Sequence, residues 1–232
     1  MNIDLINAFN SVTRAGLLAE VLDNPTTAPM ACLLNSLLSP KSLIFGGSGE
    51  FLEQILAFRS EEGVQQGSVE GMIAFAMAIR ASLGVLDAEL EAGCGGAVRA
   101  GADDVTALGT PAIVFPAVDR FLASVHAKLG LEANLIKTVS YISPDHAAEL
   151  DRVRVMYGVP LGFACSADGS ITLGIKIYGI PLGSVEFVAL TLAFKCNQLT
   201  GTSQKLNSLL GLKHKQALWA ITVNSTAHKG GY

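Results

Sequence analysis

Gly101-Ala102-Asp103-Asp104, preceded by Val98 and followed by Val105 and Leu108, reads as a β-hairpin whose tip carries two adjacent carboxylates, and no other feature constrains the chain as much. Like charges on neighbouring side chains raise each other's proton affinity, and a divalent cation is the usual means by which a protein keeps both ionised. A third acid opens the stretch Asp4-Leu5-Ile6-Asn7-Ala8-Phe9-Asn10, at the end of another short apolar segment. The expected arrangement is three carboxylates, Asp4, Asp103 and Asp104, converging from two separate strands.

The composition supplies the core that such an arrangement needs. With 232 residues, 50% of them hydrophobic, the chain is long enough for one large domain or one domain with a tail. Sixteen basic against 20 acidic residues give a net charge of -4, which excludes a globally basic nucleic-acid binder and leaves only a local patch. Charged residues make up 16% of the chain, below the roughly 25% of an ordinary domain, so some apolar surface is expected to be covered by neighbours. Cys32, Cys94, Cys165 and Cys196 form neither a Cys-x-x-Cys pair nor a zinc-spaced set with histidine, which fits a reduced, intracellular protein of nucleus or cytoplasm. The N-terminus has no basic region leading into an apolar core and does not read as a signal peptide. Residues 72–90 are the one candidate membrane span, but Glu70, Arg80, Asp87 and Glu89 punctuate the stretch, so it is expected as a buried core helix with no membrane contact. No Gly-x-Ser-x-Gly elbow supports a serine hydrolase.

Along the chain, residues 11–22 and 25–38 read as helices, the second opened by proline and stopped before Pro40. Residues 42–45 and 53–58 read as strands joined by Gly46-Gly47-Ser48-Gly49, a turn and not a phosphate loop because the Gly-Lys-Ser/Thr ending is missing. A long apolar helix over 71–91 precedes the carboxylate hairpin, and a helix over 113–129 follows it, with Phe121, Leu122, Val125 and Leu129 at helical spacing. Residues 135–142 then read as a strand, 145–156 as a helix, 171–180 as a strand and 187–199 as a helix. From Thr200 the chain becomes basic and polar, through Lys205, Lys213, His214, Lys215, His228 and Lys229. The order implies an α+β domain over residues 1–199, an antiparallel sheet with helices packed on one face, and a tail over 200–232.

Five stretches fall into the order of a known family. Asp4 to Val12, Gly63-Val64-Gln65-Gln66-Gly67-Ser68, the turn at Gly101 to Asp104, Gly130-Leu131-Glu132-Ala133-Asn134-Leu135-Ile136-Lys137-Thr138, and Ile175 to Ser184 together resemble the palm domain of reverse transcriptases of non-LTR-like retroelements. The resemblance implies a polymerase palm-like antiparallel sheet and RNA-directed DNA polymerase activity, with nucleotidyl transfer to a primer 3′-hydroxyl. It implies Mg2+, with Mn2+ as a substitute, on Asp4, Asp103 and Asp104; a template with primer, RNA or DNA; and deoxynucleoside triphosphates. By the same resemblance Phe9 contacts the nucleotide sugar, Gln66 and Gly67 let the backbone approach the template and nucleotide, Lys137 meets the leaving pyrophosphate, and Gly179, Leu182 and Gly183 form the primer grip.

The chain departs from the family at Ser68, Val69 and Glu70, where Asp-Pro-Leu is usual, and at Gly101, where an aromatic residue precedes the acid pair. It also starts three residues before Asp4, without the family's fingers, and its basic end stands where a thumb would begin. The expectation is therefore a fragment or decayed copy with impaired activity. Two alternatives are a catalytically silent nucleic-acid or protein interaction module that keeps the fold, and a nucleotide cyclase, which would act without a primer.

Overall fold

A computed structural model of the chain describes residues 1–38, 42–46, 56–143, 161–166 and 168–210. Strand β1 (Asn2–Ile3) has only two residues, because the chain turns at Asn7 into the single helical turn α1 (Ala8–Ser11). The φ of 45° at Asn7 is a left-handed conformation that Asn tolerates better than most residues. The helix expected from residue 11 therefore begins later, as α2 (Arg14–Asp23). The single helix expected over 25–38 divides into a 3-10 turn, Ala28–Met30, and α3 (Ala31–Leu38). Its first residues are folded back on the end of α2 instead, where the Thr27 hydroxyl donates to the Val21 carbonyl at 2.9 Å.

Strand β2 (Ser42–Gly46) pairs antiparallel with β3 (Leu56–Ser60). Residues 47–49 of the glycine cluster lie outside the described residues, as do residues 53–55 of the strand expected over 53–58. Helix α4 (Val69–Cys94) overruns its expected bounds at both ends. The Ser68 hydroxyl caps it by accepting from Gly71 N–H at 2.9 Å, and Gly95, at φ 62°, closes it with paired bonds from Gly95 N–H to Glu91 O and Gly96 N–H to Leu90 O. The carboxylate hairpin forms where expected, as β4 (Ala97–Gly101) and β5 (Asp104–Leu108). Helix α5 (Pro111–Leu129) follows and ends on a left-handed Gly130.

Residues 135–142 are not a strand. Asn134 gathers a turn by accepting Lys137 N–H and Thr138 N–H on its carbonyl, and beyond the turn only an isolated bridge, Asn2 to Val139, touches the free edge of β1. The helix expected over 145–156 lies outside the described residues. The strand expected over 171–180 is broken by Tyr178 and Gly179, at φ 50° and 81°, into β7 (Ile171–Ile177) and β8 (Ile180–Gly183), with β6 (Phe163–Cys165) on the other side of β7. Two positive φ values at a two-residue tip are those of a type I′ hairpin turn. Helix α6 (Val185–Leu210) overruns the bounds expected for it, 187–199, at both ends.

The result is a mixed helix and strand chain with small antiparallel sheets, of order β1-β5-β4, β2-β3 and β6-β7-β8, in place of the single sheet expected. The core gathers around α4, whose Phe75, Ile79, Ser82, Leu86 and Leu90 recur every three to four residues and are all buried. Against that stripe pack α2, α5 and β4, which contribute Leu17, Val21, Phe121, Val125, Leu129 and Val98. Ser82 and Ser124 satisfy each other between α4 and α5, 3.1 Å apart. Among the described residues α4 is also the one helix long and apolar enough to cross a membrane. On its outer side Val69, Met72 and Ile73 are exposed, as are Leu33 and Leu37 of α3, so the chain carries uncovered apolar surface as its low charge content leads one to expect.

Candidate active site

Asp4 leaves β1 with its backbone held on both sides. Its N–H donates to Thr138 Oγ1 at 3.2 Å, its carbonyl accepts from Asn134 N–H at 2.8 Å, and Ile6 N–H reaches Glu132 O at 2.8 Å. The short strand therefore does not leave the acid unsupported, because residues 132–138 supply the partners that a longer ladder would. Thr138 is 1% exposed, so its hydroxyl is a fixed acceptor; an unpaired amide in such a place costs about 1–3 kcal/mol. Lys137 Nζ stands 4.0 Å from Asp4 Oδ2, and its side chain is 69% exposed. An open pair at that distance is worth at most about 1 kcal/mol, so the carboxylate stays available to a stronger cation.

Asp103 and Asp104 are placed by the turn between β4 and β5. Ala102, at φ 59°, occupies its first central position, as in a primed hairpin turn that follows the strand twist. Gly101 is required by a close approach, because a Cβ there would lie 2.5 Å from Tyr178 Cε1. The Tyr178 hydroxyl donates to the Asp104 carbonyl at 3.2 Å.

These elements enclose a polar cavity of about 210 Å³. Asp4, Phe9, Gln66, Asp103 and Lys137 all line it, and so do Asn7 and Asn134. Its volume is below the roughly 300–1,000 Å³ of ordinary small-molecule sites, so hydrated ions or phosphate groups fit inside whereas a whole nucleotide would extend beyond it. Gln66 is brought there because Val64 N–H donates to Phe9 O at 2.7 Å and Gly63 N–H to Val12 O at 3.0 Å, tying the loop to α1.

Phe9 is 4% exposed and packs on Phe75 with ring centroids 4.7 Å apart, so it is a core aromatic that also borders the cavity. Gly67 has no atom within 4 Å of where its Cβ would be; its φ of 88° explains the glycine by backbone conformation and not by a crowded neighbour. Asp104 does not line the cavity. Nor do Gly179, Leu182 and Gly183, which belong to the β7–β8 hairpin. Among the described residues no three acidic, histidine or cysteine side chains converge as a ready-made metal cage.

The electrostatics agree with the crowding of acids. The Asp104 carboxyl is held above the ordinary 3.8, first by burial and then by the charges of Asp103 and Asp4. The Tyr178 phenol is likewise raised, by burial and then by Asp104. A carboxyl raised in the folded state binds its proton more tightly there than in the unfolded chain, so its contribution to stability falls as pH rises from 3.8 through the raised value. Asp104→Asn is therefore expected to raise the melting temperature of the metal-free protein at neutral pH and to flatten its decline between acidic and neutral pH, followed by circular dichroism. A lower melting temperature would show that the charge is compensated.

Sequence reasoning gave no role to Asn7, Asn134, Thr138 or Tyr178, although all four fall inside the stretches that carry the resemblance. Asn134 acts through its backbone N–H and Thr138 through its hydroxyl, both on the Asp4 backbone, a pairing that residue type alone does not announce. The signal for Tyr178 was the missing side chain at Gly101, a vacancy that some other group has to fill. No family model and no curated protein matches this sequence.

Proposed function

We propose that the chain is a reverse-transcriptase palm-like domain whose cavity is built for metal-dependent nucleotidyl transfer from a deoxynucleoside triphosphate to a primer 3′-hydroxyl on an RNA or DNA template. The observation that carries the reading is that Asp4, Phe9, Gln66, Asp103 and Lys137, drawn from four distant stretches, line one cavity. The donor set fits magnesium, which takes hard oxygen ligands and is commonly held by one or two carboxylates together with substrate phosphates and water. Asp4 and Asp103 would hold it, with Asp104 as a peripheral ligand, and manganese would substitute. When bound, such ions activate the attacking hydroxyl and neutralise the leaving pyrophosphate.

The remaining work falls to the protein's own groups. Lys137, exposed and beside Asp4, would hydrogen-bond or protonate the departing phosphate. Phe9, fixed by Phe75, would border the sugar and disfavour a 2′-hydroxyl. Gln66 would face the template or the nucleotide from the loop before α4. The Gly179, Leu182 and Gly183 hairpin would hold the primer from outside the cavity.

A second reading, an inactive remnant that serves as an interaction module, is favoured by the lack of any converged three-ligand group among the described residues. Titration with Mn2+ followed by electron paramagnetic resonance separates the two. On the polymerase reading the chain binds Mn2+, Mg2+ competes, and Asp4→Asn weakens binding at least about tenfold, as loss of a charge-assisted contact requires. No Mn2+ binding by the unsubstituted chain would leave the second reading.

A further inference from the structure

The tip of the β7–β8 hairpin touches the carboxylate turn from outside the cavity, and its construction is unusual. Tyr178 sits at φ 50°, in the first central position of a type I′ turn, where Asn, Asp or Gly is the ordinary choice. A bulky residue kept in that conformation points to a use for its side chain. The residue is 38% exposed, so burial alone does not explain it. Its ring stands where a residue at 101 would project: a Cβ on Gly101 would meet Cε1 at 2.5 Å, Cζ at 2.9 Å and the hydroxyl oxygen at 3.0 Å. Its hydroxyl donates to the carbonyl of Asp104 at 3.2 Å.

From the other side, Lys195 of α6 donates from Nζ to the Gly179 carbonyl at 3.1 Å. The tip is thus held between the last helix and the acid-bearing turn.

We propose that Tyr178 is a positioning residue for the carboxylate turn, its ring supplying from another hairpin the packing that Gly101 cannot, and its hydroxyl fixing the Asp104 backbone so that Asp103 faces the cavity. As a statement about metal binding the proposal rests on the nucleotidyl-transfer reading; as a statement about the turn it does not. Two carboxylates that repel each other on a short hairpin spread apart unless their backbone is held, and support of this kind around a metal site typically changes affinity about 10–100-fold. Gly101 and Tyr178 are then two halves of one contact: a methyl group at 101 displaces the ring, and removal of the ring makes room for the methyl.

The test combines Mn2+ affinity with thermal unfolding for the unsubstituted chain, Tyr178→Phe, Tyr178→Ala, Gly101→Ala and the Gly101→Ala/Tyr178→Ala double variant. Tyr178→Ala and Gly101→Ala are each expected to weaken Mn2+ binding about tenfold, and the double variant no further than Tyr178→Ala alone, as shared contacts dictate. Tyr178→Phe keeps the ring and the melting temperature and shows a smaller loss of affinity, which a purely structural role would not produce. Additive effects of Gly101→Ala and Tyr178→Ala, or unchanged Mn2+ affinity in Tyr178→Ala, would overturn the proposal. If the unsubstituted chain binds no Mn2+, the metal reading fails by itself. The melting-temperature cycle of the unsubstituted chain, Tyr178→Ala, Gly101→Ala and the double variant then decides the pinning: non-additivity upholds it and additivity overturns it.

Discussion

Asp103→Ala is expected to lower the Mn2+ affinity that the proposed function requires about a hundredfold, while leaving the folded chain at least as stable as before. The loss follows from the geometry of the turn, since Asp103 lines the cavity with Asp4 whereas Asp104 does not. Removing it leaves Asp4 as the one cavity acid among the lining residues. A lost charge-assisted contact of about 1.5–3 kcal/mol corresponds to a factor of roughly ten to above a hundred in affinity, and the loss of one of only two cavity carboxylates would belong at the upper end. Stability does not suffer, because Asp103 is a turn residue whose charge helps to raise the Asp104 carboxyl; its removal relieves repulsion in the metal-free protein. Isothermal titration and circular dichroism on the same sample read both quantities. Asp103→Asn should lose nearly as much affinity as alanine, since an amide oxygen keeps the shape and forfeits the charge. Retained affinity in either variant would place the cation elsewhere and remove the chemical basis of the polymerase reading.

Phe75→Ala is expected to destabilise the chain by about 3–5 kcal/mol, the range for deleting a buried aromatic ring from a packed core. Phe75 is 0% exposed at the centre of the α4 stripe, and its ring contact with Phe9 at 4.7 Å adds about 0.5–1.5 kcal/mol beyond burial. A small domain has only about 5–15 kcal/mol in total, so the variant is expected to be close to unfolding at ambient temperature. Urea unfolding read by circular dichroism gives the figure. The consequence extends to the cavity, because Phe9 belongs to the same turn as Asn7 and Ala8, which also line it. Phe75→Leu, which keeps much of the volume, should recover most of the stability. A cost below about 1 kcal/mol for the alanine variant would mean that the α4 stripe is not the packed centre of the fold.

Part of this was legible in the residues. The hairpin over 97–108 was, because an apolar frame around a short polar tip admits few other conformations. The helices α4 and α5 were, the first as a long apolar run and the second from Phe121, Leu122, Val125 and Leu129 at helical spacing, although the caps Ser68 and Gly95 that extend α4 beyond its expected bounds were not read. The strand expected over 135–142 was not realised because local competition won. Asn134 takes up the amides of Lys137 and Thr138, and Asn side chains and carbonyls favour turns at such a place. The strand expected over 171–180 is realised as far as Ile177 and interrupted at Tyr178 and Gly179, where nothing in the residue type of tyrosine announces a positive φ.

The sequence by itself determined which groups can carry charge and where the chain can turn: the acids at 4, 103 and 104, the hairpin between Gly101 and Asp104, and the long apolar helix between them and Asp4. Only the tertiary structure decided which of those acids share a cavity, that Thr138 and Asn134 hold the Asp4 backbone, and that Tyr178 covers Gly101. The reason is that charge, period and turn preference are properties of neighbouring residues along the chain. A contact between residues more than seventy positions apart depends on how helices and hairpins pack, and that is set by the summed shape of the core and by no single stretch of it.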